Sequence, residues 1–149
     1  MIADLRHNLG FKPANAADLD WLIGLRITTM TRYLEESGEF LSLEDQRDRV
    51  LYDFADLRLV TLDDEPIGMI KVARTSESWK LTQIQLLPAY QDLGIGARLI
   101  EEVVAGARRE KLPVMLSVLK VNPAQRLYER LGFVVVNATE RSYEMRADP

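Results

Sequence analysis

The chain contains no cysteine and only one histidine, His7. Without cysteine there is no disulfide, no thiol nucleophile and no zinc-thiolate site, and a single imidazole cannot assemble a metal cluster. Long apolar runs are also missing. None approaches the roughly 18 residues of a membrane span, and the start Met-Ile-Ala-Asp-Leu-Arg-His lacks the basic residues and apolar core of an export signal. These absences point to a soluble, cytoplasmic protein with no membrane partner and no metal. Positive charge is not in excess either. The net charge is -4, which argues against nucleic acid as a partner.

What is present is unevenly distributed. From Glu35 to Glu65 there are eleven acidic and three basic side chains, whereas Gly94 to Leu131 holds seven basic residues (Arg98, Arg108, Arg109, Lys111, Lys120, Arg126, Arg130) and four acidic ones. This is either a pair of solvated surfaces, or a basic half that meets a polyanion and an acidic half that favours a cationic substrate. At 149 residues the chain is long enough for one domain spanning 1–149 with a real core.

Along the chain, Leu9 to Pro13 is a candidate first strand. Asn15 offers an N-cap, and apolar spacing through Leu19, Leu22, Ile23, Ile27 and Met30 predicts a helix to about Arg32. Leu43 to Phe54 reads as a second, acidic helix. The runs Leu57 to Leu62 and Ile67 to Ala73, joined by Asp63-Asp64-Glu65-Pro66, form a hairpin, and Trp79 to Leu87 supplies a third strand. A helix from Ile95 to about Lys111, a strand from Val114 to Leu119, and a helix capped by Asn122 and stopped at Gly132 come next. Strands over Phe133 to Val136 and Ser142 to Met145 close the chain. The class is α+β, a mixed, mostly antiparallel sheet covered by helices, in the order α-α-β-β-β-α-β-α-β-β after the short N-terminal strand.

The chemistry concentrates where strand turns directly into helix, at Leu86-Leu-Pro-Ala-Tyr-Gln-Asp-Leu-Gly-Ile-Gly-Ala-Arg98. A glycine turn there leaves backbone N–H groups free to cradle an anion at a helix N-terminus. The Lys-Ser/Thr of a P-loop and the third glycine of a dinucleotide fingerprint are both absent. That disfavours a nucleotide-binding protein and leaves the pattern Q-x-x-G-x-G at Gln91, Gly94 and Gly96. A second segment, Asn122-Pro-Ala-Gln-Arg-Leu-Tyr128-Glu-Arg-Leu-Gly132-Phe133, follows beyond the next strand.

Together these two segments resemble the GNAT superfamily of N-acetyltransferases. The resemblance covers Leu86 to Phe133 and implies a GNAT-like fold with an acyl-CoA-binding core at 55–136 and a variable, acceptor-side region at 1–54. It implies acetyl-CoA as cosubstrate, with a homodimer allowed. The cosubstrate's pyrophosphate would rest on Gln91, Asp92, Leu93, Gly94, Ile95, Gly96, Ala97 and Arg98, and its pantetheine arm on the backbone at Leu86 and Leu87. Gln91 and Arg98 are the two whose side chains could reach phosphate oxygens.

Asn122 is an N-cap by its own chemistry, and the resemblance adds a contact to the pantetheine arm. Tyr128 is either a core aromatic with a buried partner or, by the resemblance, the acid that protonates the departing thiolate. Neither flanking strand carries the carboxylate base that many members use. Glu35, Glu36 or Glu77 could act through water, or no dedicated base is needed if the amine arrives partly neutral. Gln83 and Gln85 share a strand face and line an acceptor pocket with Tyr33 or Trp79, unless that face is simply solvated. The resulting expectation is acetyl transfer to a small-molecule or peptide amine by direct attack in a ternary complex. The alternative is a non-catalytic acyl-CoA sensor of the same fold.

Overall fold

Seven strands form one sheet in the order β1-β2-β3-β4-β5-β7-β6, in a computed structural model that describes residues 8–149. His7 and the start read for an export signal lie outside the described residues. The strands are β1 (Leu9–Pro13), β2 (Leu57–Leu62), β3 (Glu65–Arg74), β4 (Trp79–Leu86), β5 (Val114–Leu119), β6 (Val134–Ala138) and β7 (Ser142–Ala147). All neighbours pair antiparallel except β4 and β5, which run parallel because a helix connects them. The helices are α1 (Leu19–Glu36), α2 (Leu43–Leu51), α3 (Ile95–Arg109) and α4 (Ala124–Arg130). None of the described helices is long and apolar enough to cross a membrane.

The two faces of the sheet carry separate cores. On one, α1 and α2 pack Leu22, Leu25 and Val50 against Leu57, Leu59 and Met69. On the other, α3 packs Leu99, Ile100, Val103 and Val104 against Ile70, Val72, Leu81, Val114 and Leu116, and this larger core takes in Tyr128 and Phe133. The two aspartates of the β2–β3 turn, Asp63 and Asp64, both have positive φ (50° and 67°). That is the two-residue turn whose twist suits a hairpin.

Several boundaries differ from the sequence expectation for physical reasons. Asn15 caps a short 3-10 turn, Ala16–Asp18, rather than α1 itself. α1 then runs past Arg32 to Glu36, because Leu34 is still buried and Gly38 (φ 86°) provides the stop. There Gly38 donates to the Glu35 carbonyl and Glu39 to that of Leu34, the Schellman arrangement. α2 ends at Leu51 rather than Phe54, since Tyr52 is extended and Asp53 is left-handed. The final strands run on to Ala138 and Ala147, and the α4 region begins with Pro123 already helical (φ -65°, ψ -12°).

One irregularity shapes the middle of the sheet. The β3–β4 register passes from Lys71 opposite Gln83 to Val72 opposite Leu81, so Thr82 is an extra residue, a bulge, with its hydroxyl donating to the Lys71 carbonyl at 3.3 Å. A bulge bends its strand and reverses the alternation of side chains beyond it. Both effects are visible. Pairing with β5 stops at Leu81 opposite Leu116. Trp79 lies on the α3 face, whereas Gln83 lies on the α1–α2 face.

Candidate functional site

Past Leu81 and Leu116, β4 and β5 separate, and the backbone groups of Thr82 to Leu86 that face β5 have no partner strand. A cleft of about 260 Å³ opens in the gap, reaching from Arg26 and Met30 of α1 to Asn122 and Tyr128. β4 leads from it straight into the glycine turn. Gly94 (φ 83°) is the left-handed residue that starts α3, and Asp92 (φ 60°) is left-handed two residues earlier. The first helical bond of α3 runs from Arg98 N–H to the Gly94 carbonyl at 3.1 Å. The N–H groups of Ile95, Gly96 and Ala97 therefore have no acceptor within the helix, and they converge at its positive end.

Close approach in the sheet keeps this end in place. Gly68 of β3 faces Leu86, and a Cβ at Gly68 would run into the Gln85 carbonyl and the Leu86 side chain. Gln91 donates its side-chain amide to the Leu86 carbonyl at 3.0 Å, so it braces the turn against β4. Arg98 is paired on the helix surface with Glu102 at 3.3 Å.

Tyr128 is set by the way α4 ends. Gly132 (φ 99°) comes after the last helical turn and donates to the Glu129 carbonyl, and Phe133 donates to that of Tyr128 at 3.0 Å. This Schellman closure brings the two aromatic rings together, with centroids 5.8 Å apart at 60°. At the other end, Asn122 Oδ1 accepts from Ala124 N–H at 2.9 Å. Tyr128 is 8% exposed, lines the cleft, and its hydroxyl has no hydrogen-bond partner among the described residues. Burial pushes its pKa up to about 12, so the phenol is protonated throughout the neutral range.

Four expected residues thus meet in one cleft: Gln83, Gln85, Asn122 and Tyr128. The turn residues Leu86 to Arg98 continue from its β4 wall. Trp79 does not join them, because the Thr82 bulge leaves its indole against Gly106 with Nε1 donating to Glu110 at 3.0 Å. Tyr33 does not line the cleft either, and its hydroxyl accepts from Arg32 at 3.1 Å. Gln83 and Gln85 are buried rather than solvated. Among the described residues, no group of three or more side chains is arranged to hold a metal ion.

The structure adds residues that sequence reasoning missed. Arg26, only 5% exposed, donates from Nε to Gln46 at 2.7 Å and from Nη1 to Gln83 at 3.3 Å. Burial, with Arg49 nearby, lowers its pKa to about 10, still well above neutrality. Gln83 in turn donates to the Arg49 carbonyl at 2.8 Å. Lys71, 2% exposed, places Nζ against the carbonyls of Arg49 (3.1 Å), Val50 (3.0 Å) and Tyr52 at the end of α2. Glu39, carried into the cleft wall by the end of α1, is the one carboxylate among the described lining residues. It pairs with Arg49 at 3.4 Å and Arg141 at 3.7 Å. Glu35, Glu36 and Glu77 do not line this cleft. A signal existed for two of the added residues: Arg26 falls on the apolar stripe of Leu22, Ile23 and Met30, and Lys71 is the lone charge in the apolar run Ile67 to Ala73.

Residues 54–135 match a family model described as an acetyltransferase (GNAT) domain. Solved structures share the fold across nearly the whole chain. An acetyltransferase from Thermus thermophilus is 20% identical with a TM-score of 0.75, covering 95% of this chain and 97% of that one. A PaiA N-acetyltransferase from Thermoplasma acidophilum, in complex with coenzyme A, is 18% identical with a TM-score of 0.72, covering 95% and 99%. Ard1 from Thermoplasma volcanium is 15% identical with a TM-score of 0.71, covering 95% and 97%. At such identities the likeness is one of fold. A search of curated proteins by sequence finds no match.

Proposed function

The chain belongs to the GNAT acetyltransferase family and is an acyltransferase, and from that premise we propose that it moves an acetyl group from acetyl-CoA to a primary amine by direct attack in a ternary complex. The observation that carries this reading is the succession of a strand edge and a helix start. The unpaired edge of β4 lines the cleft opposite Tyr128, and the chain then passes through the Pro88–Tyr90 turn to the free N–H groups of Ile95 to Ala97.

Each part suits one section of an acyl-CoA thioester. The convergent N–H groups and the helix dipole hold the pyrophosphate without a basic side chain. The β5-facing backbone of Thr82 to Leu86 offers the pantetheine amides a strand-like partner. Tyr128, protonated at neutral pH, donates to the sulfur as the carbon–sulfur bond breaks. The same burial that weakens the phenol as an acid also strengthens a departing thiolate as a base, so the two remain matched. Glu39 is at hand in the cleft wall to receive the ammonium proton. With no cysteine in the chain to take it up, the acetyl group passes to the amine without a stop on the protein.

The first test is thermal unfolding in parallel with acetyl-CoA, CoA, ATP and NAD. A ligand at about 100 times its Kd adds roughly 2.7 kcal/mol, which raises Tm by about 5–10 °C for a chain of this length. The CoA ligands are expected to produce that rise, and ATP and NAD none. A rise with ATP or NAD alone would sink the proposal. Release of free thiol from acetyl-CoA across a panel of amines then separates an enzyme from a binding protein, and silence with every amine would leave only the latter.

A further inference from the structure

Arg26 is the cationic side chain of the cleft that lacks a counterion. Glu39, the one carboxylate among the described lining residues, is already shared between Arg49 and Arg141. No described carboxylate lies within salt-bridge distance of Arg26, and its contacts are two neutral amide oxygens, Gln46 Oε1 and Gln83 Oε1. A guanidinium has five N–H donors, so three remain. A buried charge is costly unless it is paired, and amide oxygens hydrogen-bond it without neutralising it. The cleft therefore carries, on the wall formed by α1, a positive charge that no described carboxylate pairs directly, Glu39 acting on it only through space.

One strand repeat along β4, a second group is unsatisfied with the opposite sense. Gln85, 9% exposed, has its Oε1 fully buried with no donor. Gln83 and Gln85 stand on the same face, about 7 Å apart along the strand. Arg26 sits at the Gln83 end. The cleft lining thus holds a cation with no paired carboxylate and, one strand repeat away, a buried acceptor with no donor. A ligand complementary to both has an anionic group and an N–H donor a few ångströms apart.

We propose that the acceptor amine is a small molecule that also bears a carboxylate, a free amino acid, with its carboxylate on Arg26 and an amine N–H donated to Gln85 Oε1. This rests on the acetyltransferase reading and narrows its substrate class. The acidic excess of Glu35 to Glu65 does not oppose it, because within the cleft that excess is reduced to Glu39, whose charge the neighbouring arginines offset. A peptide N-terminus, in which the nearest carboxylate has become an amide, and a polyamine, which has no anion, would both leave Arg26 unpaired. The volume of about 260 Å³ also favours a small acceptor.

The test compares each of the common free amino acids with its own carboxamide, by thiol release from acetyl-CoA and by calorimetry on the CoA-bound protein. At least one acid is expected to exceed its carboxamide by 10-fold or more in kcat/KM, mostly through KM, and to bind correspondingly tighter. In Arg26→Gln that preference should fall towards unity, with an unchanged CoA-induced Tm rise showing that the variant is folded. If acids and carboxamides are used alike, or polyamines or peptide N-termini are preferred, the inference is overturned while acetyl transfer stands. If no amine releases thiol, acetyl transfer fails, and calorimetry alone decides: tighter binding of the acids supports the anion site, and equal or absent binding overturns it.

Discussion

Tyr128→Phe is expected to lower kcat by about 10²- to 10⁴-fold, the usual contribution of a general acid, or roughly 3–5 kcal/mol of barrier. The substitution is selective. The ring keeps its edge contact with Phe133 and its place in the α3-side core. The hydroxyl has no partner among the described residues, so no buried group is orphaned, and the CoA-induced Tm rise should be unchanged. Steady-state and single-turnover rates with acetyl-CoA check the prediction, and an unaltered single-turnover rate would remove Tyr128 from the chemistry.

The same hydroxyl has a signature in stability. Its pKa is raised from 10.0 to about 12 in the folded chain. Its contribution is therefore complete below pH 10 and is lost as pH climbs from 10 through 12, where the unfolded chain releases the proton first. This alkaline loss should be missing from Tyr128→Phe, and denaturant midpoints measured between pH 9 and 12 would show the difference.

Lys71→Met is expected to destabilise the protein by about 3 kcal/mol, seen as a fall in Tm of roughly 6–12 °C. Methionine fills the volume of the aliphatic stem but offers no donor. The carbonyls of Arg49, Val50 and Tyr52 then lose the cation that closes the α2 C-terminus, where the helix dipole also favours positive charge. Because the Arg49 carbonyl also accepts from Gln83, the loss spreads to the cleft wall. KM for the acceptor should rise more than KM for acetyl-CoA.

Lys71 also gives a pH effect opposite in sign to that of Tyr128. Burial, partly offset by Asp53, lowers its pKa from 10.5 to about 8. Between those values the unfolded chain holds the proton that the folded one has released, so this group makes wild-type stability rise with pH across that window. Lys71→Met should lack the rise.

The two ends of the site were legible in the sequence for one physical reason. Both are punctuation: Gly94 and Gly132 must be left-handed, and Asn122 offers the side chain a helix start needs. Such requirements are local and leave a mark in the chain. The middle of the site was less legible because it depends on registration between strands. By simple alternation Trp79, Gln83 and Gln85 share a face, and only the extra residue at Thr82 separates them. Nothing in Leu81-Thr82-Gln83 announces a bulge. Arg26 shows in the sequence only as a charge on an apolar stripe, and Glu39 only as one acid of the stretch Glu35 to Glu65. Their meaning comes from tertiary neighbours 57 and 10 residues away in sequence, Gln83 for Arg26 and Arg49 for Glu39.

The central claim is direct transfer of the acetyl group between two ligands held in the β4–β5 cleft. Mixing the protein in excess with acetyl-labelled acetyl-CoA, first alone and then with an acceptor amine, tests it most directly. Direct transfer predicts no free thiol and no labelled protein in the first mixing, then one equivalent of thiol and one of labelled N-acetyl amine in the second. A burst of thiol before the amine is added, with label on the protein, or continued silence after every amine, would contradict it.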